Sequence, residues 1–376
     1  MKPRRIWLDY LVYVAVRVVA AIFSMFPIEW NLRTGRMIGW IWFHFPAWIP
    51  IAGRLSRHRG RAMEHLRAAL GHELSEARLE QIACRSMEHF AMLAIEVLLT
   101  PRLITSWSWA RYVRLTEIGP AARALLDRRG CIMLTPHFGS FELLGYTLAT
   151  VGFSITALMR PFDNEYLNRY LLDRRVRSGL RLLYKKGAME RAPEVLREGG
   201  ALCFIADQDA GRKGIFVDFF GRKASTYKSI GLLAMEARVP IVVGTARRVV
   251  GASRRAVGTA QRVAGASRNA GGAARSAVGA SPSENGSASP AGGNGDERPA
   301  GEKAAAHSLR RGGRYFSYEI RAHRIIEPSE WDGREDELRW ITQEFSTAME
   351  QAIRAAPEQY LWIHRRWKSR PKGESA

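Results

Sequence analysis

The chain has 376 residues, 47% of them apolar, and a formal net charge of +21. That length and apolar share exclude a wholly disordered protein and allow one large core with appendages. The charge demands an anionic partner: nucleic acid, an acidic lipid surface or a phosphorylated substrate.

Residues 1–53 open with MKPRR and an apolar run from Tyr10 to Ile28 that carries Arg17 near its middle. A second apolar stretch, Met37 to Ala52, is broken by Pro46 and Pro50. Trp7, Trp30, Trp40, Trp42 and Trp48 crowd the same region, which suits an interfacial aromatic belt better than a nucleic-acid surface. A span needs about 20 mostly apolar residues. The segment therefore reads as an uncleaved membrane anchor (one span, a shallow hairpin or an in-plane amphipathic helix), with a soluble apolar helix as the bland alternative. From Arg54 to Thr100, Leu66, Leu70, Leu79, Ile82, Met87 and Leu93 fall near three- and four-residue spacing and predict helices.

Beyond Tyr112, short apolar runs (CIMLTP, SITALM, LRLLY, ALCFIAD, IFVDFF, PIVVGTARRVV) alternate with amphipathic stretches such as NEYLNRYLLDRRV and TYKSIGLLAMEARV. Alternating strands and helices predict an α/β fold, a central sheet flanked by helices. Residues 251–312 are almost entirely Ala, Gly, Ser, Arg, Pro and Asn, a composition that predicts a disordered insertion. It separates PIVVGTARRVV from RYFSYEIRAHRII, two strand-like runs able to pair across it. The catalytic domain is accordingly expected over 54–250 and 313–372, with a helix near 335–355 and the tail PEQYLWIHRRWKSRPKG.

Cys84, Cys131 and Cys203 form no CxxC pair, so neither a zinc site nor a disulfide framework is expected. His137 stands apart from the other histidines because it follows an apolar strand, Cys131 to Leu134, at the point where Gly139 and Ser140 lead into a helix carrying Glu142. Catalytic groups gather at the carboxyl ends of strands in open α/β sheets. Across a loop and a first helical turn, Glu142 can hold one imidazole nitrogen and leave the other as a base able to deprotonate a hydroxyl. A structural ion pair is the bland alternative. No GxSxG elbow, Walker A loop, GxGxxG fingerprint or HExxH motif is present, so an acyl-enzyme route lacks its nucleophile.

TPHFGSFELLG, MRPFDNEYLNRYL, ADQDAGRKGIFVDFFGRKAST and YLWIHRRWKSRP, in this order, resemble the lipid A biosynthesis acyltransferases. The resemblance implies a glycerol-3-phosphate acyltransferase-like mixed sheet with a membrane-associated N-terminal helical segment. It places His137 and Glu142 on the HxxxxE catalytic motif, Arg160 and Asn164 on an RPxxN segment, and Asp207 and Gln208 on a DQ segment, the last four as substrate-binding residues. Arg160 would stabilise an oxyanion or grip a phosphate; Asn164 is equally readable as a helix cap, and Asp207 with Gln208 as residues that shape a turn. Lys185, Lys186, Arg212, Lys213, Arg222 and Lys223 would form a phosphate-facing rim. The implied donor is acyl carrier protein, with acyl-CoA as the alternative, and the implied acceptor is an anionic glycolipid at the cytoplasmic face of the inner membrane. Neither cofactor nor metal is implied, and nucleic acid is not an expected partner. The motif reads HFGSFE where the family often has Asn and Trp in its fourth and fifth places, which leaves the acceptor open, including mannosylated phosphatidylinositol. A silent anionic-lipid-binding protein is the rival of a different class.

Overall fold

The computed structural model describes residues 6–44, 52–184, 188–249 and 316–371. The expected insertion at 251–312, Trp48, and the Lys185–Lys186 pair lie outside the described residues. Helix α1 (Ile6–Met25) stops before Pro27, which has no backbone N–H to extend it, and α2 (Ile28–His44) follows. Among the described residues α1 is the one helix long and apolar enough to cross a membrane. It buries only Ala20.

Helix α2 behaves differently although the sequence groups it with the anchor. Its Leu32 and Phe43 are buried, and it lies along the 28-residue helix α4 (Glu76–Leu103), which follows α3 (Ala52–Leu70). Two small residues one turn apart, Gly35 and Gly39, allow that approach. A Cβ on Gly39 would sit 2.3 Å from the Glu88 Cα, so the two backbones pass with no room for a side chain.

The rest of the chain forms the α/β body. In order come α5 (Trp109–Tyr112), β1 (Val113–Thr116), α6 (Gly119–Leu126), β2 (Cys131–Thr135), α7 (Phe141–Thr150) and β3 (Ile155–Met159). Then follow α8 (Glu165–Val176), β4 (Arg181–Tyr184), α9 (Ala188–Arg197), β5 (Ala201–Ile205), the hairpin β6 (Ile215–Phe219) and β7 (Arg222–Thr226), and α10 (Lys228–Ala237). Strands β8 (Ile241–Arg248) and β9 (Tyr318–Ile326), helices α11 (Pro328–Trp331) and α12 (Glu337–Arg354), and a 3-10 turn at Pro357–Gln359 complete it.

Seven strands make one mixed sheet in the order β1-β9-β8-β2-β5-β3-β4, and β6–β7 stands apart as a two-stranded ribbon. Strands β8, β2, β5, β3 and β4 run parallel; β9 is antiparallel to β8, and β1 is parallel to β9. The two runs flanking the insertion thus pair as the sequence suggests, with Arg248 opposite Tyr318. Side-chain alternation splits the sheet between two cores. Ile132, Leu134, Leu202, Ile241 and Val243 face the core that α10 and α12 close with Leu233, Ile341 and Phe345. Cys131, Ala201 and Val242 face the one that α7 closes with Leu143 and Leu148.

Gly39→Val should force α2 away from α4 and cost about 1–3 kcal/mol of stability, the usual range for an overpacked contact. Urea denaturation reads this directly, and an unchanged midpoint would show that α2 contributes little to the folded body.

Candidate active site

Strands β2 and β5 are parallel neighbours with Thr135 opposite Ile205. Two residues past each strand end, the same register sets His137 beside Asp207. The His137 backbone N–H donates to Asp207 Oδ2 at 3.0 Å, and its ring Nδ1–H donates to Oδ1 at 2.6 Å. Asp207 is fully buried, and the His137 side chain is 13% exposed. Burial opposes ionisation of Asp207, yet the charge and hydrogen bonds of His137 hold its carboxyl well below the usual carboxylate range. Burial likewise disfavours the His137 imidazolium, but the Asp207 charge and hydrogen bond outweigh it and, with a smaller contribution from Glu142, raise the His137 pKa.

This arrangement corrects the expected partner of the histidine. Glu142, on the first turn of α7, turns to α8 and forms two hydrogen bonds with Arg175, Nη2 to Oε1 at 2.6 Å and Nε to Oε2 at 3.1 Å. Its influence on His137 is electrostatic. Asp207, expected to touch substrate, is instead sealed beneath the imidazole. With Nδ1 donating, Nε2 keeps its lone pair, and the Gln208 amide stands 3.4 Å away from it.

Asn164 caps α8: its side-chain oxygen accepts from the Leu167 N–H at 3.0 Å, and its Nδ2 donates to the Asp9 carbonyl at 2.7 Å. Both ends of the amide are engaged within the protein, so the cap reading holds. Arg160 has an 80% exposed side chain beside Asp163. It lines the rim of a cavity of about 650 Å³ that His137, Glu142 and Gln208 also border. Apart from those groups and a few others such as Arg175 and Thr135, the walls are mostly apolar, supplied by Leu144, Leu148, Ala157, Leu180, Leu182 and Cys203. That size and lining suit an extended apolar ligand presented to the histidine at its polar end.

The loop bearing His137 is held from three sides. Gly139 has a φ of +58°, and a Cβ there would lie 2.1 Å from the Ala246 carbonyl oxygen, so only glycine fits. The Gly139 N–H donates to the Gln359 carbonyl, the Ser140 N–H to Ala246, and the Leu361 N–H to the His137 carbonyl. Arg366 is buried and ties the tail to the hairpin, donating to the Ser225 carbonyl at 2.5 Å and to Thr226 Oγ1 at 2.6 Å. The third support is buried His89 on α4, with Nε2 3.1 Å from the Gly139 carbonyl and Nδ1 2.9 Å from Arg248. Burial, then the Arg248 charge, hold its pKa well below the usual value, so the ring is neutral. A guanidinium can only donate, which makes Nδ1 the acceptor and Nε2–H the donor to Gly139. Arg248 in turn pairs with buried Glu96, which also accepts from the Tyr318 hydroxyl.

Sequence reading does not reach Arg175, His89, Arg248 or Arg366, because their roles depend on packing between distant elements. Asp207 did carry a signal. In CIMLTPH and ALCFIAD an ionisable residue follows an apolar run, three positions after Leu134 in the first and directly after Ala206 in the second, as the ends of two adjacent parallel strands would place them.

A strand-end histidine with a buried carboxylate partner over an apolar cavity defines a class, an α/β enzyme acting on lipid-like substrates. The family profile described as bacterial lipid A biosynthesis acyltransferase matches residues 1–254 and 305–369, and the chain belongs to this family. It is 23% identical over 367 residues to a lipid A biosynthesis palmitoleoyltransferase of Escherichia coli (strain K12), covering 93% of this chain and 95% of that protein. A lipid A biosynthesis acyltransferase of Shigella flexneri aligns with the same identity and coverage. A phosphatidylinositol mannoside acyltransferase of Mycobacterium tuberculosis (strain CDC 1551 / Oshkosh) is 30% identical over 118 residues, 30% of this chain and 37% of that protein. The protein is a lipid acyltransferase.

Arg248→Met should leave Glu96 buried beside a lone hydroxyl donor and cost about 3–5 kcal/mol, which a denaturant titration would register. For Asp207→Asn the sign follows from the shift. If His137 serves as a base it works only when neutral, so the acid limb of kcat/KM should lie above the usual histidine value while Asp207 is charged. Removing that charge should move the limb to lower pH and lower the plateau roughly 10²–10⁴-fold. Glu142→Gln should move it less. A pH–rate profile that stays in place in Asp207→Asn would remove Asp207 from this role.

Proposed function

We propose that this protein moves a fatty acyl chain from acyl carrier protein to a hydroxyl of a lipid A precursor, with His137 as the general base. The supporting observation is the imidazole itself: Nδ1–H is fixed on Asp207, and Nε2 carries the lone pair beside a cavity whose walls are mostly apolar. In this reading the acyl chain lies along Leu148, Leu180 and Leu182, and its thioester carbonyl stands near Nε2. The acceptor oxygen attacks the carbonyl carbon as its proton passes to Nε2. The C–S bond then breaks, and the proton leaves on the departing thiol. Asp207 stabilises the transient imidazolium.

Glu142 is assigned two parts, raising the proton affinity of His137 through its charge and holding Arg175 at the cavity wall. Gln208 and Arg160 are the polar groups left at the mouth for the developing oxyanion and an anionic acceptor. No cofactor enters the scheme, since the thioester already supplies the activated acyl group. The exposed apolar surface of α1 is proposed to seat the enzyme in the inner membrane with its site toward the cytoplasm.

The assay is thioester consumption with purified protein, a phosphorylated glycolipid acceptor, and either acyl carrier protein or coenzyme A as the acyl carrier. His137→Ala should reduce turnover to background while its melting temperature stays close to that of the parent, and the acyl carrier protein thioester should be the better donor. Turnover of a well-folded His137→Ala protein would refute the base. Preference for acyl-CoA with a mannosylated phosphatidylinositol would transfer the assignment to the chemistry named in the mycobacterial relative.

A further inference from the structure

A second opening, sharing no lining residue with the His137 cavity, lies where α1, α4 and α8 meet. It measures about 720 Å³, and four of its lining residues, Arg17, Arg102, Arg174 and Arg177, are arginines, against the single carboxylate of Asp173. Two of the guanidiniums are braced on backbone. Arg102 donates to the Ser24 carbonyl, and Arg174 donates to the Leu98 carbonyl at 2.5 Å. Each guanidinium carries five N–H donors, so a brace of this kind fixes its position and leaves donors for a ligand. Arg17 and Arg177 are exposed.

Beside this basic cleft runs a groove of about 450 Å³ between α1 and α8, with Val14, Val18, Ala20 and Ala21 as its apolar wall and Arg17, Ser24 and Arg174 among its polar groups. The two share Arg17, Tyr170 and Arg174, so a charged compartment opens directly into one whose far wall is the apolar face of α1. The surroundings are apolar as well. Val18, Ile22 and Met25 on α1 are 51%, 47% and 80% exposed, and Trp107, next to the cleft residue Ser106, is 85% exposed. Aromatic and aliphatic side chains set beside arginines match the level of a bilayer at which phosphates lie above acyl chains.

We infer that this cleft is a binding site for the phosphate group of a membrane lipid, whose acyl chain lies in the groove along α1. Planar guanidiniums grip phosphate oxygens in pairs, and the adjoining groove offers an acyl chain a place that an inorganic anion would leave empty. The inference rests on the chain acting at lipids and is independent of which hydroxyl is acylated. Its test reads binding alone, in the absence of any acyl donor, so failure of the proposed chemistry leaves it untouched.

The measurement is partitioning of the full chain onto phosphatidylcholine vesicles with and without phosphatidic acid, at fixed salt. Arg17→Gln/Arg177→Gln should remove at least about tenfold of the preference for phosphatidic acid. A control, Arg78→Gln/Arg85→Gln, removes the same charge from the other half of α4, with Arg85 about 25 Å from Arg102 along the helix and beyond the screening length. It should change binding by less than about twofold. Arg177→Glu alone reads the same contrast should the double variant fold poorly. Equal losses in the two pairs would mean diffuse attraction to an anionic surface and overturn the site. Tight calorimetric binding of inorganic phosphate alone, abolished by the Arg17/Arg177 exchange, would reassign the cleft to a soluble anion and overturn its lipid part.

Discussion

The pair formed by His137 and Asp207 is the contact on which the site depends. A fully buried carboxylate is costly unless its lone pairs are met, and here two donors from one residue meet them, the backbone N–H and the ring Nδ1–H of His137. Because the backbone takes part, the pair fixes the loop as well as the imidazole. It sets the tautomer in the same stroke, since a ring that donates through Nδ1 offers its lone pair at Nε2. The register of β2 against β5 makes this possible, and a slip of one residue would turn each side chain toward the opposite face.

Around the pair, distant parts of the chain converge on a few backbone groups. The tail reaches the His137 loop through Gln359 and Leu361 and is itself anchored by buried Arg366. From the other side, α4 contributes His89, whose orientation is dictated by Arg248, whose charge is met by Glu96. In such a chain of charged and polar groups inside a core each member is desolvated and relies on the next, so the loss of one is costly to the others. His137 therefore sits on a support that includes the long N-terminal helices as well as the sheet. That is consistent with α2 packing closely on α4 although it follows the largely exposed, apolar α1.

The molecule also separates two amphipathic volumes. The cavity at His137 has mostly apolar walls and a polar mouth, which suits the acyl chain that a lipid acyltransferase handles. The cleft at Arg17 and Arg174 has the reverse emphasis, charge first and a groove with an apolar wall behind it. Helix α8 stands between them and serves both: Arg175 faces Glu142 in the one, and the adjacent Arg174 lines the other. The large positive charge of the chain is in part concentrated where apolar surface is also exposed, which favours a lipid partner.

Sequence alone determined a good deal. The alternation of apolar runs and amphipathic stretches marked most strands and helices of the α/β body. The pairing of the runs that flank 251–312 was legible because both are apolar and β-branched, and the position of His137 at a strand end followed from the turn residues after it. Strand β1 and the second strand of the β6–β7 ribbon were not legible, being short and mixed in polarity. Only the tertiary structure decided the hydrogen-bond partner of His137. Glu142 lies five residues from His137 and Asp207 lies seventy away, yet register between parallel strands outweighs proximity along the chain, and Arg175 claims the nearer carboxylate. It likewise decided that Asn164 is a cap and that His89 and Arg248 support the loop. Hydrogen bonding depends on where the packed backbone places donors and acceptors, and local spacing carries no record of that.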